Sequence, residues 1–165
     1  MAGVFVYSDK SGIALELVGC AKAAGKEAMV IVFSQEAAEE VKNSGADRVF
    51  ILQGDNEVPE NYAQAVADFL KEKSAELFLV GATARGRDLA ARVAGYLDCP
   101  MASDVSAISF GDGKVTTERM IYGGAVTQKE ELTGLSVVTV AGGKYAPIEG
   151  SAEVETVTVT PDNRV

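Results

Sequence analysis

The stretch LFLVGATARGRDLAARVAGYLDCPMASD, Leu77 to Asp104, decides the fold. Four apolar residues, Leu77, Phe78, Leu79 and Val80, run straight into Gly81-Ala82-Thr83-Ala84-Arg85-Gly86-Arg87. Beyond that turn Leu89, Ala90, Val93, Ala94 and Leu97 recur at helical spacing. The unit reads as a buried strand, a tight glycine turn and an amphipathic helix. At such a junction the first helical N–H groups lack intrahelical partners and the dipole favours negative charge, so a phosphate or carboxylate is the ligand class that the turn suggests.

Upstream, the same alternation is legible three more times. Val4-Phe5-Val6-Tyr7 is a short apolar run that ends in the polar turn Ser8 to Gly12. The stripe Ala14, Leu17, Val18, Ala21 follows, with Gly25 placed as a helix C-cap. Ala28 to Phe33 is a second strand, and Ser34 caps a helix carrying Ala37 and Val41. Arg48 to Leu52 is a third strand; Pro59 opens a helix whose stripe is Tyr62, Val66, Phe69 and Leu70 and which ends near Ser74. Cys99-Pro100 breaks the fourth helix, and Ser103 to Ser109 reads as a fifth strand. Apolar strands alternating with amphipathic helices predict an α/β three-layer sandwich around a central parallel sheet, with right-handed crossovers.

The character changes at Phe110-Gly111-Asp112-Gly113. Lys114 to Ile121, Ala125 to Glu131, Leu135 to Ala141 and Ala152 to Thr160 read as strands separated by glycine pairs, with no helix among them. They are expected to be antiparallel and to extend or flank the parallel sheet. One domain, 1–165, is the expectation, with a parallel β/α core over 1–109 and a β-rich extension over 110–165.

Composition narrows the chemistry. The chain has 165 residues and a formal net charge of −9, which repels nucleic acid and anionic lipid. There is no run long enough to span a membrane and no secretion signal at the start, so a cytoplasmic protein is expected. It contains no histidine, and its two cysteines, Cys20 and Cys99, stand far apart. His-based triads and His-containing zinc sites are thereby excluded, and the cysteines read as small buried hydrophobes in a reducing compartment. The P-loop, the dinucleotide glycine fingerprint and the GxSxG elbow are absent, and no acid, base or nucleophile constellation can be named. No catalytic or metal site is therefore assigned, and an enzyme is the least supported class. Asp9, Asp88 and Asp104 can be gathered at one sheet end for a hard cation, but capping and turn roles explain each more simply.

Two candidate sites remain. Ligands of open parallel sheets bind outside the carboxyl ends of the strands, where the winding reverses. If the first strand is central and pairs with the fourth, Ser8 and Asp9 face Gly81, Thr83, Arg85, Gly86 and Arg87 across a crevice suited to an adenine nucleotide such as AMP, or to another phosphate ester. The plainer alternative is that the glycines only permit the turn and the arginines are solvated or pair with Asp88 and Asp9. The second candidate is a partner surface at Arg119, Tyr122 and Gly123, since arginine and tyrosine are favoured interface anchors. Its plainer alternative is a hairpin turn with a solvated arginine.

Three blocks carry a family resemblance: VGATARGRDLAARVAGYLDCPMASDVSAI at Val80 to Ile108, ERMIYGGAV at Glu118 to Val126, and VAGGKYAPIEGSAE at Val140 to Glu153. With VYSDKSGIALELVGCAKAAG at Val6 to Gly25, the chain resembles the N-terminal domain of the electron transfer flavoprotein alpha subunit. The resemblance implies an adenine-nucleotide alpha-hydrolase-type fold with parallel sheet order 3-2-1-4-5, and pairing with a beta-like subunit or with a second copy. It implies FAD only by association, since in that family the flavin sits mainly in a second, C-terminal domain. The sequence stops at Val165, so that domain is expected to be absent and the chain is expected not to hold FAD alone. An interaction or structural module of a flavin-dependent electron transfer system is the function implied, with a stand-alone adenine-nucleotide binder as the alternative.

Overall fold

The computed structural model describes residues 3–56, 58–111, 114–121 and 126–161. Strands β1 (Val4–Tyr7), β2 (Ala28–Val32), β3 (Arg48–Gln53) and β4 (Leu77–Gly81) alternate with helices α1 (Ser11–Ala23), α2 (Gln35–Val41), α3 (Ala63–Glu72) and α4 (Ala84–Leu97). A 3-10 turn over Pro59–Tyr62 leads into α3, with Pro59 in its first turn, where a missing N–H costs nothing. The remaining strands are β5 (Met101–Val105), β6 (Ala107–Gly111), β7 (Lys114–Ile121), β8 (Val126–Thr133), β9 (Ser136–Val140) and β10 (Glu153–Thr158).

Seven strands form one parallel sheet in the order β10-β3-β2-β1-β4-β9-β5. Successive side chains of each strand point to opposite faces, and both faces are covered. On one face Val4, Val6, Val30, Leu77 and Leu79 pack against Ala14, Leu17 and Val18 of α1 and Ala38 and Val41 of α2. On the other, Phe5, Met29, Ile31, Phe50 and Phe78 meet Val66, Phe69 and Leu70 of α3 and Leu89 and Val93 of α4. Phe5, Phe50 and Phe69 form a ring cluster with centroids 5.0 to 6.2 Å apart, each contact adding about 0.5–1.5 kcal/mol beyond its buried area. The expected three-layer α/β architecture and the run 3-2-1-4 are both present.

The C-terminal third is arranged in more detail than the strand pattern alone conveys. The C-terminal strands were expected to be antiparallel, but among the described residues only β6, β7 and β8 are, forming a separate three-stranded sheet, whereas β9 and β10 are parallel. Strand β9 is buried at every position and inserts parallel between β4 and β5. Strand β10 joins the far edge, parallel to β3. The single run expected over Ser103 to Ser109 is two strands in two sheets. Asp104 adopts a left-handed conformation with φ 52°, and the register shifts between Ala102 and Val105. The Ser106 N–H then donates to the Glu118 carbonyl at 2.7 Å, which steers the chain into the second sheet.

A strap over residues 141–152 carries the chain from β9 across α1 to β10. The Gly143 N–H donates to Glu16 Oε1 at 2.8 Å, the Tyr145 hydroxyl accepts from the Ile108 N–H at 2.9 Å, and the Gly45 N–H donates to the Gly150 carbonyl at 2.9 Å. At the crossing, a Cβ on Gly19 would stand 2.1 Å from the Ala146 carbonyl oxygen, so the strap can lie this close only over glycine.

Candidate functional site

Strand β4 and helix α4 meet the carboxyl end of β1 as the sequence suggests, and the side chains there are mutually engaged. Thr83 is the N-cap of α4: its Oγ1 accepts the Gly86 N–H at 3.0 Å. The same hydroxyl donates to Asp9 Oδ1 at 2.6 Å, which ties the β1 turn to the β4 turn. The Arg87 N–H donates to the Thr83 carbonyl at 2.9 Å. The glycines permit close packing: a Cβ on Gly81 would lie 2.5 Å from Ser8 Oγ, and one on Gly86 would lie 2.0 Å from the Gly81 carbonyl oxygen. Ser8 Oγ itself accepts the Lys10 N–H at 3.1 Å.

Both arginines of the turn have acidic partners other than those weighed in the sequence. Arg85 Nε lies 3.4 Å from Glu60 Oε1, and Arg87 Nη1 lies 3.1 Å from Asp104 Oδ2. Asp88 pairs with Arg92 one helical turn on, at 2.8 Å. The three aspartates Asp9, Asp88 and Asp104 thus sit with three different partners. Among the described residues no group of three or more Asp, Glu, Cys or His side chains is gathered as a metal site.

The open space lies beside this junction, over the carboxyl ends of β1, β2 and β3. A cleft of about 600 Å³ is lined by Tyr7, Ser8, Asp9 and Ser11 from the first strand and turn, and by Val32, Phe33, Ser34, Ala37 and Glu40 from the second. Gln53, Gly54, Asn56, Pro59 and Arg85 complete its rim. Of the seven expected binding residues, Ser8, Asp9 and Arg85 reach the cleft, while Gly81, Thr83, Gly86 and Arg87 are not among its lining residues. Phe33, Ser34 and Glu40 follow β2, one strand away from the β1–β4 reversal at which open parallel sheets usually bind ligands, so the sequence did not mark them as site residues. The signal available was the end of the apolar run at Phe33, which puts its ring at the carboxyl edge of β2.

Glu60 was also missed. Its side chain is only 10% exposed and its Oε2 is buried without a hydrogen-bond partner, while the Arg85 side chain that it meets is half exposed. Burial first, and the Asp9 carboxylate next, hold the Tyr7 hydroxyl well above its ordinary pKa. Tyr7 therefore stays a neutral hydroxyl at any physiological pH.

The second candidate site falls on the β6–β8 sheet. Arg119 is half-buried on β7, its Nε buried with no hydrogen-bond partner, and the neighbouring Met120 is 64% exposed. Val126, which pairs with Ile121 across the ribbon, is 46% exposed. Tyr122 and Gly123, named with Arg119 from the sequence, lie outside the described residues, as does the Asp112-Gly113 turn. Burial pushes both thiols up from their ordinary pKa, Cys20 inside α1 and the partly buried Cys99 after α4, which disfavours the thiolate. Among the described residues no helix is long and apolar enough to cross a membrane.

Comparison with known families decides the kinship. The electron transfer flavoprotein domain family matches residues 9–162. The chain belongs to the electron transfer flavoprotein family. YdiR of Escherichia coli strain K12 is 32% identical over 147 residues, covering 87% of this chain and 47% of that protein. Protein FixB of Escherichia coli O127:H6 is 33% identical over 162 residues, covering 94% of this chain and 52% of FixB. Protein FixB of Shigella dysenteriae serotype 1 is 32% identical with the same coverage. This electron transfer flavoprotein chain thus spans about half the length of the curated relatives it matches. The match extends from the turn after β1 through β10, so every element except β1, and the strap, falls within it.

Proposed function

We propose that this chain is an alpha-type module of a flavin-dependent electron transfer system, which acts by pairing with a beta-type subunit or a second copy and does not hold FAD by itself. The family match across residues 9–162 carries the reading. Two features support its parts. The two arginines of the glycine turn are paired with Glu60 and Asp104, and the cleft beside them presents Asp9 and Glu40. The β7–β8 ribbon carries exposed apolar side chains at Met120 and Val126, which suits a protein interface better than water. Mixing the purified protein with a beta-type electron transfer flavoprotein subunit and measuring mass by light scattering tests the pairing. A complex of defined stoichiometry, or a stable homo-oligomer without it, is expected; a strict monomer in both samples at high concentration contradicts the reading.

A further inference from the structure

The β7–β8 ribbon has two faces, and its charges are matched on only one of them. On the face turned away from the body, Lys114 Nζ meets Glu131 Oε1 at 2.9 Å and Lys129 Nζ meets Glu118 Oε1 at 3.3 Å, both across the strands. The other face starts in the core, where Val115, Thr117 and Leu132 are buried. Register places Glu130 opposite Thr117 and Gln128 opposite Arg119, and side chains directly opposite share a face. Val126 lies two residues beyond Gln128, so it belongs to the same face. Arg119 and Glu130 are half-buried there while Gln128 and Val126 are exposed, so this face emerges from the body toward the ribbon tip.

Arg48, Arg85, Arg87 and Arg92 each have a carboxylate partner, whereas among the described residues Arg119 has none, and its Nε is buried without a hydrogen-bond partner. Glu130 has no ion-pair partner among them either, although it stands on the diagonal from Arg119. Diagonal neighbours lie about 7–8 Å apart, so opposite charges stand side by side on one surface without pairing within the chain. A surface of that kind complements itself. With a two-fold axis running between the two residues, Arg119 of one copy meets Glu130 of the other, and the reverse. Val126 beside them adds apolar area that such a contact removes from water. We propose that this face of the ribbon docks a second copy of the chain, with each Arg119 paired to Glu130 of the other copy. The proposal rests on the pairing reading and assigns this face to the second copy. The net charge of −9 opposes association at low ionic strength, but at physiological salt it is screened beyond about 8 Å, whereas a partly buried pair in contact is screened far less.

Sedimentation equilibrium of the purified 165-residue protein at physiological salt tests it. The parent is expected to dimerise. Arg119→Glu and Glu130→Arg each set like charges against one another twice per dimer, and each should weaken the dimer about tenfold or more. The double variant Arg119→Glu/Glu130→Arg exchanges the two signs and should recover the parent affinity to within about threefold. Arg119→Gln removes the charge without reversing it; it should weaken the dimer in the same direction and replaces any reversed variant whose amide spectrum shows that it has not folded. The proposal is overturned by a monomeric parent, by a folded single variant that dimerises as the parent does, or by a folded double variant as weak as the single ones. A parent that is monomeric alone yet forms a complex with a beta-type subunit overturns the second-copy contact and leaves the pairing reading standing, whereas a monomer in both samples overturns both.

Discussion

Thr83 joins two turns with one hydroxyl, accepting from Gly86 and donating to Asp9. Thr83→Ala is expected to cost about 1–2 kcal/mol, the usual loss for an N-cap with one further hydrogen bond, read from the urea midpoint. Gly19 and Gly95 make a sharper contrast, since both are helical glycines with opposite surroundings. A Cβ on Gly19 collides with the Ala146 carbonyl, whereas nothing lies within 4 Å of one on Gly95. Gly19→Ala should destabilise by about 1–3 kcal/mol, and Gly95→Ala should stabilise by about 0.5–1 kcal/mol through helix propensity. Equal effects from the two would contradict the close approach of the strap. Asp47 supplies a pH dependence. Burial works to raise its pKa, but the Ala28 N–H at 2.9 Å and the Lys22 ammonium outweigh it, and the net shift is downward. A carboxyl whose folded pKa lies below its unfolded value of about 3.9 gives stability that is present above that value and lost as pH falls through the folded pKa. Asp47→Asn should therefore flatten the acid limb of a stability-versus-pH curve below about pH 4 while leaving its shape near pH 7 unchanged.

At the scale of elements, the β-α units were legible because two signals agreed in each. Periodicity changed from run to stripe, and a cap residue marked the junction: Ser34 and Thr83 both accept the amide three residues on, and Gly25 has φ 76°. The C-terminal strands carried only one signal. Strand β9, Ser-Val-Val-Thr-Val, is apolar nearly throughout because it is buried on both faces between β4 and β5, and that composition was the mark of a parallel central strand. The split between β5 and β6 left no glycine or proline to find, since the turn is made by Asp104 in a left-handed conformation and by hydrogen bonds to distant Glu118 and Thr139. In the candidate site, Ser8, Asp9 and the glycine turn were readable, but Glu60 was not, because its role as the partner of Arg85 depends on how the 3-10 turn packs against α4. The ribbon gives an element-scale prediction. Met120→Asp touches no core, so stability should stay within about 0.5 kcal/mol of the parent. Association with a beta-type subunit or second copy should weaken at least tenfold, and unchanged association would remove this ribbon from the interface.

For the whole molecule, the chain places an acidic, aromatic-walled cleft at one sheet edge and the exposed Met120 and Val126 on a second sheet. The strap across α1 carries β10 back to pair with β3. The central proposal is that this chain pairs through its surfaces and does not hold FAD by itself. The most direct test is an absorbance spectrum of the purified protein, taken alone and again after incubation with excess FAD and desalting. A colourless protein is expected in both samples. Flavin absorbance near one equivalent per chain in the protein alone would contradict it.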